Sequence, residues 1–538
     1  MAQLGASAST SQVEPQWAWE EPIQAYSRPL LGSELVKERM HAFSDGAPEP
    51  CHGFTFQTSY DPEDIVSRLH FALSNLRFIA PLVAATIEDH HDTSGKRVWV
   101  YRSPSSERDA QQWVQDTLIV HNTECSDEDF IAWTNQTRLP LEDGRFTRVF
   151  QCHLLVRESG IYSLFIHASH ALLDPKATIA VFRDLFDYMT RRPSSDPLPW
   201  GEEWRNLPAG PITCTGGVRP GADLEVPTLL HQAASLVTRD KPPEALQAQR
   251  TEISQQGLPV RVHSVIPAAK FSALKTRLTQ LELSVTVLLE AAFVLTVFAN
   301  NARNGSLSED AYALLDMTMI ALNPLFIPPH NSPSRVGASL AYTPLLIDFK
   351  DVPKDAASCE ALISVMRSLQ AQYRRWVSSP HLPFLSYQMM MPTNPNPSAL
   401  VIADMGVIED SIPTLWPRNA RMPTVELLEM SLGHRLAAFP RPVAHAWSLN
   451  KELHVQIAAS DVWDRSVLAD FLQESLDLAL LITEDIPPVP KPPAAPVYSC
   501  AVEHATSSAN DSRQSLARGL VSNWGKRIGK FLGLHRVV

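Results

Sequence analysis

Two histidines and an aspartate stand close together in the segment IYSLFIHASHALLDPKATIAVFRDLF, residues 161–186. His167 and His170 end an apolar run, and Asp174 comes four residues after the second histidine. An imidazole has an ordinary pKa of about 6.5, so at neutral pH it can accept a proton from a hydroxyl. These residue types indicate general-base chemistry. The spacing alone decides nothing, because a chain with 18 histidines is expected to contain such a match by chance.

The elements around these residues give the spacing a context. Segments 145–156 and 161–167 have the alternation of two strands joined by a turn at RESG. Pro175 suits the first turn of a helix, where its missing N–H is not needed, and the apolar residues after it recur at helical spacing. The predicted order is therefore a hairpin, a short loop that holds His170 and Asp174, and a helix.

Each of these residues also has a structural interpretation. His170 could simply pack at a strand end, and packing is the interpretation we favour for His167, three residues earlier. Asp174 can cap the helix and fix the loop at the same time. The remaining candidates for substrate binding, beside His167, are Asp404 and Gly406 in the segment DMGV, where a structural bend is favoured.

A second polar cluster, EDHHDTSGKR at 88–97, contains His90, His91 and Asp92. It lies in a Ser-Gly turn and has no partner ligands at regular spacing, so a solvated loop is favoured over a metal site. No metal site is predicted anywhere in the chain.

Size and charge exclude several classes of protein. A chain of 538 residues is too long for one ordinary core and suggests two lobes. A net charge of −12 argues against nucleic-acid binding, which needs clustered Lys and Arg. Six scattered cysteines without a C-x-x-C pair indicate reduced thiols of a cytoplasmic protein. No apolar signal core and no apolar run of about 18 residues is present, so no transmembrane segment is predicted.

Composition divides the chain into regions. The predicted regions are a disordered N-terminus (1–16), an N-terminal lobe (17–205), a Pro- and Gly-rich crossover (206–258), a C-terminal lobe (259–484), a Pro-rich linker (485–510) and a basic amphipathic tail (511–538). The tail has the spacing of a membrane-surface or partner helix. A frayed tail is favoured, because each of its four glycines weakens a helix by roughly 1 kcal/mol.

The segment GRFTRVFQCHLLVRESGIYSLFIHASHALLDPKATIAVFRDLF, residues 144–186, resembles the active-site unit of the CoA-dependent acyltransferase superfamily. That superfamily includes chloramphenicol acetyltransferase, the plant BAHD acyltransferases and the condensation domains of nonribosomal peptide synthetases. The likeness continues in order through LSVTVLLEAAFVLTVFA, RVGASLAYTPLLIDF, IADMGVIED and LHVQIAASDVWDRSVLADFL. Within the superfamily the chain most resembles fungal O-acetyltransferases of secondary metabolism, of the trichothecene 15-O-acetyltransferase type.

The resemblance implies a fold, an activity and a site. The expected fold is α+β, with two chloramphenicol acetyltransferase-like lobes, each a mixed sheet flanked by helices, and an active-site tunnel between them. The expected activity is transfer of an acyl group, acetyl in the simplest case, from acyl-CoA to a hydroxyl of a small secondary metabolite, with His170 as the general base. Asp174 is expected to turn away from the histidine and pair with an arginine. We further expect no bound cofactor, no nucleic acid and a monomer.

Some residues depart from the subgroups of this superfamily. Ser169 stands where many condensation domains have a second histidine, Pro175 comes after Asp174 where they have glycine, and DMGV replaces the Asp-Phe-Gly-Trp-Gly motif of the plant enzymes. Two alternatives therefore stay open: a condensation-like domain that uses a carrier-protein thioester, and a catalytically silent relative that binds a ligand.

Overall fold

The computed structural model describes residues 14–484 except 91–95, 123–124, 140, 143–144, 147, 158–159, 192–196, 253–258, 356–357, 389–391, 418–423 and 437–438. The Pro-rich linker, the basic tail, most of the predicted disordered N-terminus, and His91 and Asp92 lie outside the described residues. Predictions for these parts stay predictions.

The described part of the chain contains both helices and strands, and most strand pairs are antiparallel, as expected for an α+β fold. The α-helices are α1 (Ser33–Phe43), α2 (Pro62–Ile79), α3 (Glu107–Thr117), α4 (Asp127–Gln136), α5 (Pro175–Thr190), α6 (Pro211–Cys214), α7 (Ala222–Val237), α8 (Ala268–Leu281), α9 (Val285–Arg303), α10 (Cys359–Val377) and α11 (Arg465–Leu480). The strands are β1 (Ala18–Glu20), β2 (Ala25–Pro29), β3 (Pro50–Thr58), β4 (Thr86–Asp89), β5 (Arg97–Tyr101), β6 (Leu118–Asn122), β7 (Leu141–Glu142), β8 (Arg145–Phe146), β9 (Phe150–Val156), β10 (Ile161–Ala168), β11 (Val260–Ile266), β12 (Tyr312–Ala321), β13 (Leu340–Asp348), β14 (Val401–Val407), β15 (Leu415–Trp416), β16 (Val425–His434), β17 (Val443–Leu449) and β18 (Glu452–Ala459).

The described strands form four sheets. Their orders are β1-β2-β5-β4-β8-β7, β15-β16-β3-β10-β9-β6, β11-β18-β17-β14 and β12-β13. The second and third sheets are mixed, because β6 runs parallel to β9 and β14 runs parallel to β17. We call the second sheet, β15-β16-β3-β10-β9-β6, the central sheet.

The central sheet is built from both halves of the chain. Strand β3 pairs with β10 on one side and with β16 on the other, so that His167 lies opposite Cys51 and Gly433 also lies opposite Cys51. Strand β16 belongs by sequence to the predicted C-terminal lobe, yet its hydrogen bonds are made with the N-terminal half. The halves are therefore interlocked through β15 and β16, whatever the exact position of the lobe boundary.

The hairpin and helix predicted around the histidines are present, with one change. Strands β9 and β10 pair antiparallel and α5 begins at Pro175. The continuous strand predicted at 145–156 is wrong in its first part: Arg145–Phe146 pairs in a different sheet, with β4 and β7, and β9 starts only at Phe150. The alternation in sequence continues across this break and so cannot reveal it.

Helix α5 covers the central sheet on its apolar face. Phe182 and Phe186 meet Phe54 of β3 edge to face, with ring centroids 4.9 and 6.4 Å apart. Aromatic pairs in such geometry are worth about 0.5–1.5 kcal/mol beyond their buried area. This packing fixes the helix, and with it the loop that joins β10 to α5.

Helix α9 is the core helix of the second half. Its length and mean hydropathy of 1.6 would suit a membrane span, but 72% of the apolar window is buried inside the protein. Its side chains pack against α10 and α11, including Phe293 stacked on Phe471. Burial on all sides explains why this helix is apolar around its whole circumference.

Candidate active site

The loop between β10 and α5 holds His170 in a defined orientation. The Ser169 N–H donates to the Val149 carbonyl at 2.8 Å, and the Leu173 N–H turns back to the Ser169 carbonyl at 3.1 Å. Within this turn, His170 Nδ1 lies 2.8 Å from the Leu173 carbonyl oxygen. The loop therefore fixes the ring by a backbone bond and not by another side chain.

This backbone bond determines which ring nitrogen of His170 can act as a base. A carbonyl oxygen can only accept, so Nδ1 must carry the proton that it donates to Leu173. In the neutral ring Nε2 then keeps its lone pair. Among the described residues, no group is hydrogen-bonded to Nε2. The geometry thus leaves one basic nitrogen unoccupied.

Asp174 points away from His170 and into the backbone. One carboxylate oxygen accepts from the Ala177 N–H at 2.9 Å and caps α5, and the other accepts from the Ser339 N–H at 2.7 Å. Burial raises the pKa of Asp174, while these two hydrogen bonds act in the opposite direction. Asp174 therefore joins the loop between β10 and α5 to the start of β13 in the second half.

The arginine partner expected for Asp174 is not a direct one. Among the described residues no arginine lies within ion-pair distance of its carboxylate. Arg335 instead donates to the Ser339 hydroxyl at 2.9 Å and to the Ala209 carbonyl at 2.7 Å. The expectation of a direct pair is thus wrong here, because two backbone N–H groups occupy the carboxylate and Arg335 orders the residue that supplies one of them.

The ring of His170 opens onto a cavity between the two halves of the chain. The cavity has a volume of about 40 Å³ and its walls are mostly apolar, including Met40, Met317 and Met319. The polar side chains in its wall are Lys37, His170, His434 and His445. This volume holds only a few waters, so where the resemblance predicts a tunnel, the structure shows a narrow space that brings the two halves together at His170.

Four imidazoles form a cluster at this cavity: His170, His434 and His445 line it, and His52 packs against His434. The rings of His170 and His434 are 6.1 Å apart, those of His434 and His445 are stacked at 4.6 Å, and His52 lies 4.9 Å from His434. Burial lowers the pKa of His52 to about 3 and that of His445 to about 4, and holds those of His170 and His434 well below 6.5. All four rings are therefore neutral at pH 7. We call them the cavity histidines.

His167 lies only three residues from His170 but in different surroundings. Its Nε2 is 2.9 Å from one oxygen of Glu49, whose other oxygen is 2.7 Å from His41 Nε2. Burial acts to raise the pKa of Glu49, but hydrogen bonds from His167 and His41 lower it to about 2. We call His41, Glu49 and His167 the Glu49 cluster. The contacts of His167 are those of a buried histidine paired with a carboxylate. His167 does not line the cavity.

Asp404 and Gly406 form a bend in β14. The Asp404 carboxylate accepts from the Thr286 hydroxyl at 2.6 Å and from the Gly406 N–H at 2.8 Å. Gly406 has a φ of +75°, a conformation that favours glycine. Neither residue is among those that line the cavity beside His170, so the contacts match the structural interpretation.

Metal ligands do not converge within the part of the chain that the structure describes. No group of three His, Cys, Asp or Glu side chains there has the geometry to hold a metal ion. The stacked rings of His434 and His445 explain why the cavity histidines are not an exception, since parallel rings cannot point their nitrogens at one ion. Of His90, His91 and Asp92, only His90 is described.

Three polar side chains of the cavity wall were not found from the sequence. Lys37 comes from α1, His434 from the end of β16 and His445 from β17, so they are separated from His170 by more than a hundred residues. None belongs to a local motif. Only the pairing of β16 with β3 brings His434 next to the loop, and sequence periodicity carries no information about that pairing.

Comparison with known proteins gives matches in structure but not in sequence. No family model matches the chain, and no curated protein matches it. Among solved structures, TRI3 trichothecene 15-O-acetyltransferase from Fusarium sporotrichioides has a TM-score of 0.74 at 14% identity, covering 87% of this chain and 98% of that chain.

Other solved structures with lower TM-scores share the same fold. Polyketide synthase associated protein 5 from Mycobacterium tuberculosis has a TM-score of 0.57 at 14% identity, covering 85% of this chain and 98% of that chain. The condensation domain from the monacolin K polyketide synthase MokA has a TM-score of 0.55 at 10% identity, covering 85% and 97%. At these identities the likeness establishes the fold and not the reaction. With its mixed sheets, its interlocked halves and these neighbours, the chain has the two-lobed, chloramphenicol acetyltransferase-like α+β fold that these structures share.

Proposed function

We propose that this protein is a CoA-dependent O-acyltransferase that moves an acyl group, acetyl in the simplest case, from acyl-CoA to a hydroxyl of a small secondary metabolite. The observation that carries the proposal is the ring of His170: Nδ1 is held by the Leu173 carbonyl, and Nε2 is unoccupied in a ring that lines a cavity between the two halves. The fold shared with an O-acetyltransferase supports it.

The proposed reaction uses His170 first as a base and then as an acid. Nε2 takes the proton of the acceptor hydroxyl as its oxygen forms a bond to the thioester carbon. The carbonyl electrons move to oxygen and give a tetrahedral oxyanion. When they return, the C–S bond breaks, and the thiolate leaves with the proton from Nε2, giving an ester and free CoA. A placed base of this kind contributes about 10²–10⁴ in rate.

The low pKa of His170 keeps the ring neutral, as the first step, acceptance of the hydroxyl proton, requires. Because burial holds it well below 6.5, the ring is in its basic form throughout the neutral range. Asp174 takes no part in proton transfer in this scheme, since both its oxygens accept backbone N–H groups. Its role is to hold the loop and α5 in place.

The cavity must widen for both reactants to meet at His170. A volume of about 40 Å³ is too small for a thioester and an alcohol together. Met40, Met317 and Met319 in its wall have unbranched side chains that change rotamer readily, which makes them the groups to move. Holding both reactants in such a confined space can supply about 7–11 kcal/mol through proximity.

The proposal is tested by acyl transfer from labelled acetyl-CoA to a panel of small alcohols. We compare the wild type with His170→Ala and with the matched control His231→Ala, which removes an exposed histidine of α7. The expected result is labelled ester with the wild type and the control, and a loss of at least about 10²-fold with His170→Ala. Transfer that survives His170→Ala at full rate contradicts the proposal.

Two further outcomes of the same assay would replace the proposal. Transfer only from a thioester on a carrier protein would indicate condensation-like chemistry. Saturable binding of the alcohol without transfer from any donor would indicate a silent, ligand-binding relative.

A further inference from the structure

Lys37 is a buried cation that has no anionic partner among the residues that the structure describes. It lies on α1, and only 3% of it is exposed. Within the described ranges, no carboxylate is at ion-pair distance from its ammonium and no oxygen accepts a hydrogen bond from it. The ammonium instead lies over the ring of Tyr342, whose centroid is 5.6 Å from Nζ. By contrast, the buried Arg28 is held by Glu34 through two hydrogen bonds.

Keeping this charge unpaired is costly. Moving an ammonium out of water carries an effective penalty of several kcal/mol unless a partner compensates for it. Burial lowers the pKa of Lys37 to about 8, so most of the side chain is still protonated at pH 7. A methionine would fill the same space without the penalty. The cost points to a use for the charge.

The ammonium shares the cavity with the proposed base. Lys37 and His170 both line it, and after burial Lys37 is the next largest influence that lowers the pKa of His170. The other polar groups in the wall, His434 and His445, are neutral, and Lys37 also depresses their pKa values. A carboxylate that raises the pKa of Lys37 is that of Asp174, which does not line the cavity and whose oxygens accept backbone N–H groups. Among the residues that line the cavity, Lys37 is therefore the charged side chain.

We propose that the ammonium of Lys37 stabilises the negative charge that develops on the acyl carbonyl oxygen when the acceptor attacks. This inference rests on the proposed function. A cation beside a general base opposes protonation of that base, so Lys37 would slow the reaction if it acted on His170 alone. Once an oxyanion forms, the cavity contains an imidazolium, an oxyanion and an ammonium, and the oxyanion is attracted to both cations and offsets one of the two positive charges. The ground-state thioester is neutral, so the stabilisation is specific to the transition state.

The experiment compares Lys37→Met and Lys37→Arg with the wild type. Arg39→Met is the matched control, because it removes a cation from the same helix and Arg39 is not among the cavity residues. The donor is acetyl-CoA and the acceptor is the best alcohol from the assay above. We expect Lys37→Met to lower kcat by about 10²–10³ with both KM values within about threefold of wild type. Lys37→Arg keeps the positive charge, so its kcat should lie between that of the wild type and that of Lys37→Met.

Three results would overturn the assignment. One is an unchanged kcat in Lys37→Met. Another is a loss that lies entirely in KM, which would show that Lys37 binds an anionic group of a substrate in the ground state. The third is an equal loss in Arg39→Met. Absence of transfer in the wild type, or full transfer in His170→Ala, would instead overturn the proposed function.

A pH profile keeps the assignment testable if Lys37→Met does not fold. The wild-type kcat should decline on the alkaline side as Lys37 loses its proton, around the pKa of about 8 that burial gives it. Lys37→Arg should abolish this decline, because arginine keeps its charge. An alkaline decline that persists unchanged in Lys37→Arg would contradict the role of Lys37.

Discussion

The Glu49 cluster and the cavity histidines are two groups of buried imidazoles that differ in how their nitrogens are used. In the first, His41 and His167 each bond to an oxygen of one carboxylate. In the second, no carboxylate of the described residues reaches a ring, and burial lowers the pKa of every member. In the Glu49 cluster a ring nitrogen of each histidine is hydrogen-bonded to a carboxylate. In the cavity histidines the rings are buried and neutral without such a bond. The proton transfer that we propose is assigned to the second group because His170 lines the cavity.

The two groups also show how little a spacing means. His41 and Asp45 have the same four-residue separation as His170 and Asp174. Asp45, however, forms ion pairs with Arg138 and Arg435 near the surface, and no helix begins after it. Asp174 precedes Pro175 and caps α5. The two His-Asp pairs therefore differ in the element that follows the aspartate: a helix begins after Asp174 and not after Asp45.

The largest expected effect is a loss of kcat in a variant of His170 that is absent in the same variant of His167. His170→Gln should lower kcat by about 10²–10⁴, because the base is removed, and should leave the melting temperature nearly unchanged. His167→Gln should do the opposite, since it breaks a bond to Glu49 and leaves the cavity intact. Steady-state kinetics and thermal melts of both variants check this. Equal loss of kcat in the two would remove the distinction drawn above.

Glu49→Gln tests whether the Glu49 cluster is purely structural. Removing the charge from a buried, doubly bonded carboxylate should lower the free energy of unfolding by about 3–5 kcal/mol. The kcat of the surviving folded protein should stay within about threefold of wild type. Urea unfolding and kinetics measured below the melting temperature are the checks. A selective loss of kcat at normal stability would place Glu49 in the reaction.

Asp174→Asn should have a smaller effect on stability. The amide can accept one backbone N–H but not both, so the bond to Ala177 or to Ser339 is lost, at about 1–3 kcal/mol. Because the loop is then held less firmly, kcat should fall as well. Unchanged melting and unchanged turnover together would contradict the positioning role.

The stability of the folded protein should also depend on pH. The folded pKa values of the cavity histidines are depressed, so below about pH 6.5 the unfolded chain binds protons that the folded protein does not. The contribution of these histidines to stability is complete above pH 6.5 and should fall by about 1.4 kcal/mol per pH unit for each of them as the pH decreases toward 4. His52→Leu should reduce the slope of stability against pH by the contribution of one histidine. Urea titrations at pH 7, 6 and 5 measure it, and an unaltered slope in the variant would contradict the assignment.

Local patterns predicted the local parts of the site. The hairpin, the loop and the helix around His170 follow from alternation, a turn and an Asp-Pro cap. Lys37, His434 and His445 were not predicted, because each reaches the cavity through a long-range strand pairing or helix contact. The break before β9 was missed for a related reason: pairing partners, not periodicity, decide where a strand changes sheet.

The strand β16 has a consequence for how the protein must be made. Its partner β3 leaves the ribosome early, but residue 425 is synthesised more than three hundred residues later. Until then one side of β3 is an open edge, a template for the wrong neighbour in a crowded cell. A gene fragment that encodes residues 1–258 should therefore yield insoluble product, and its solubility should recover when the remaining residues are expressed alongside it.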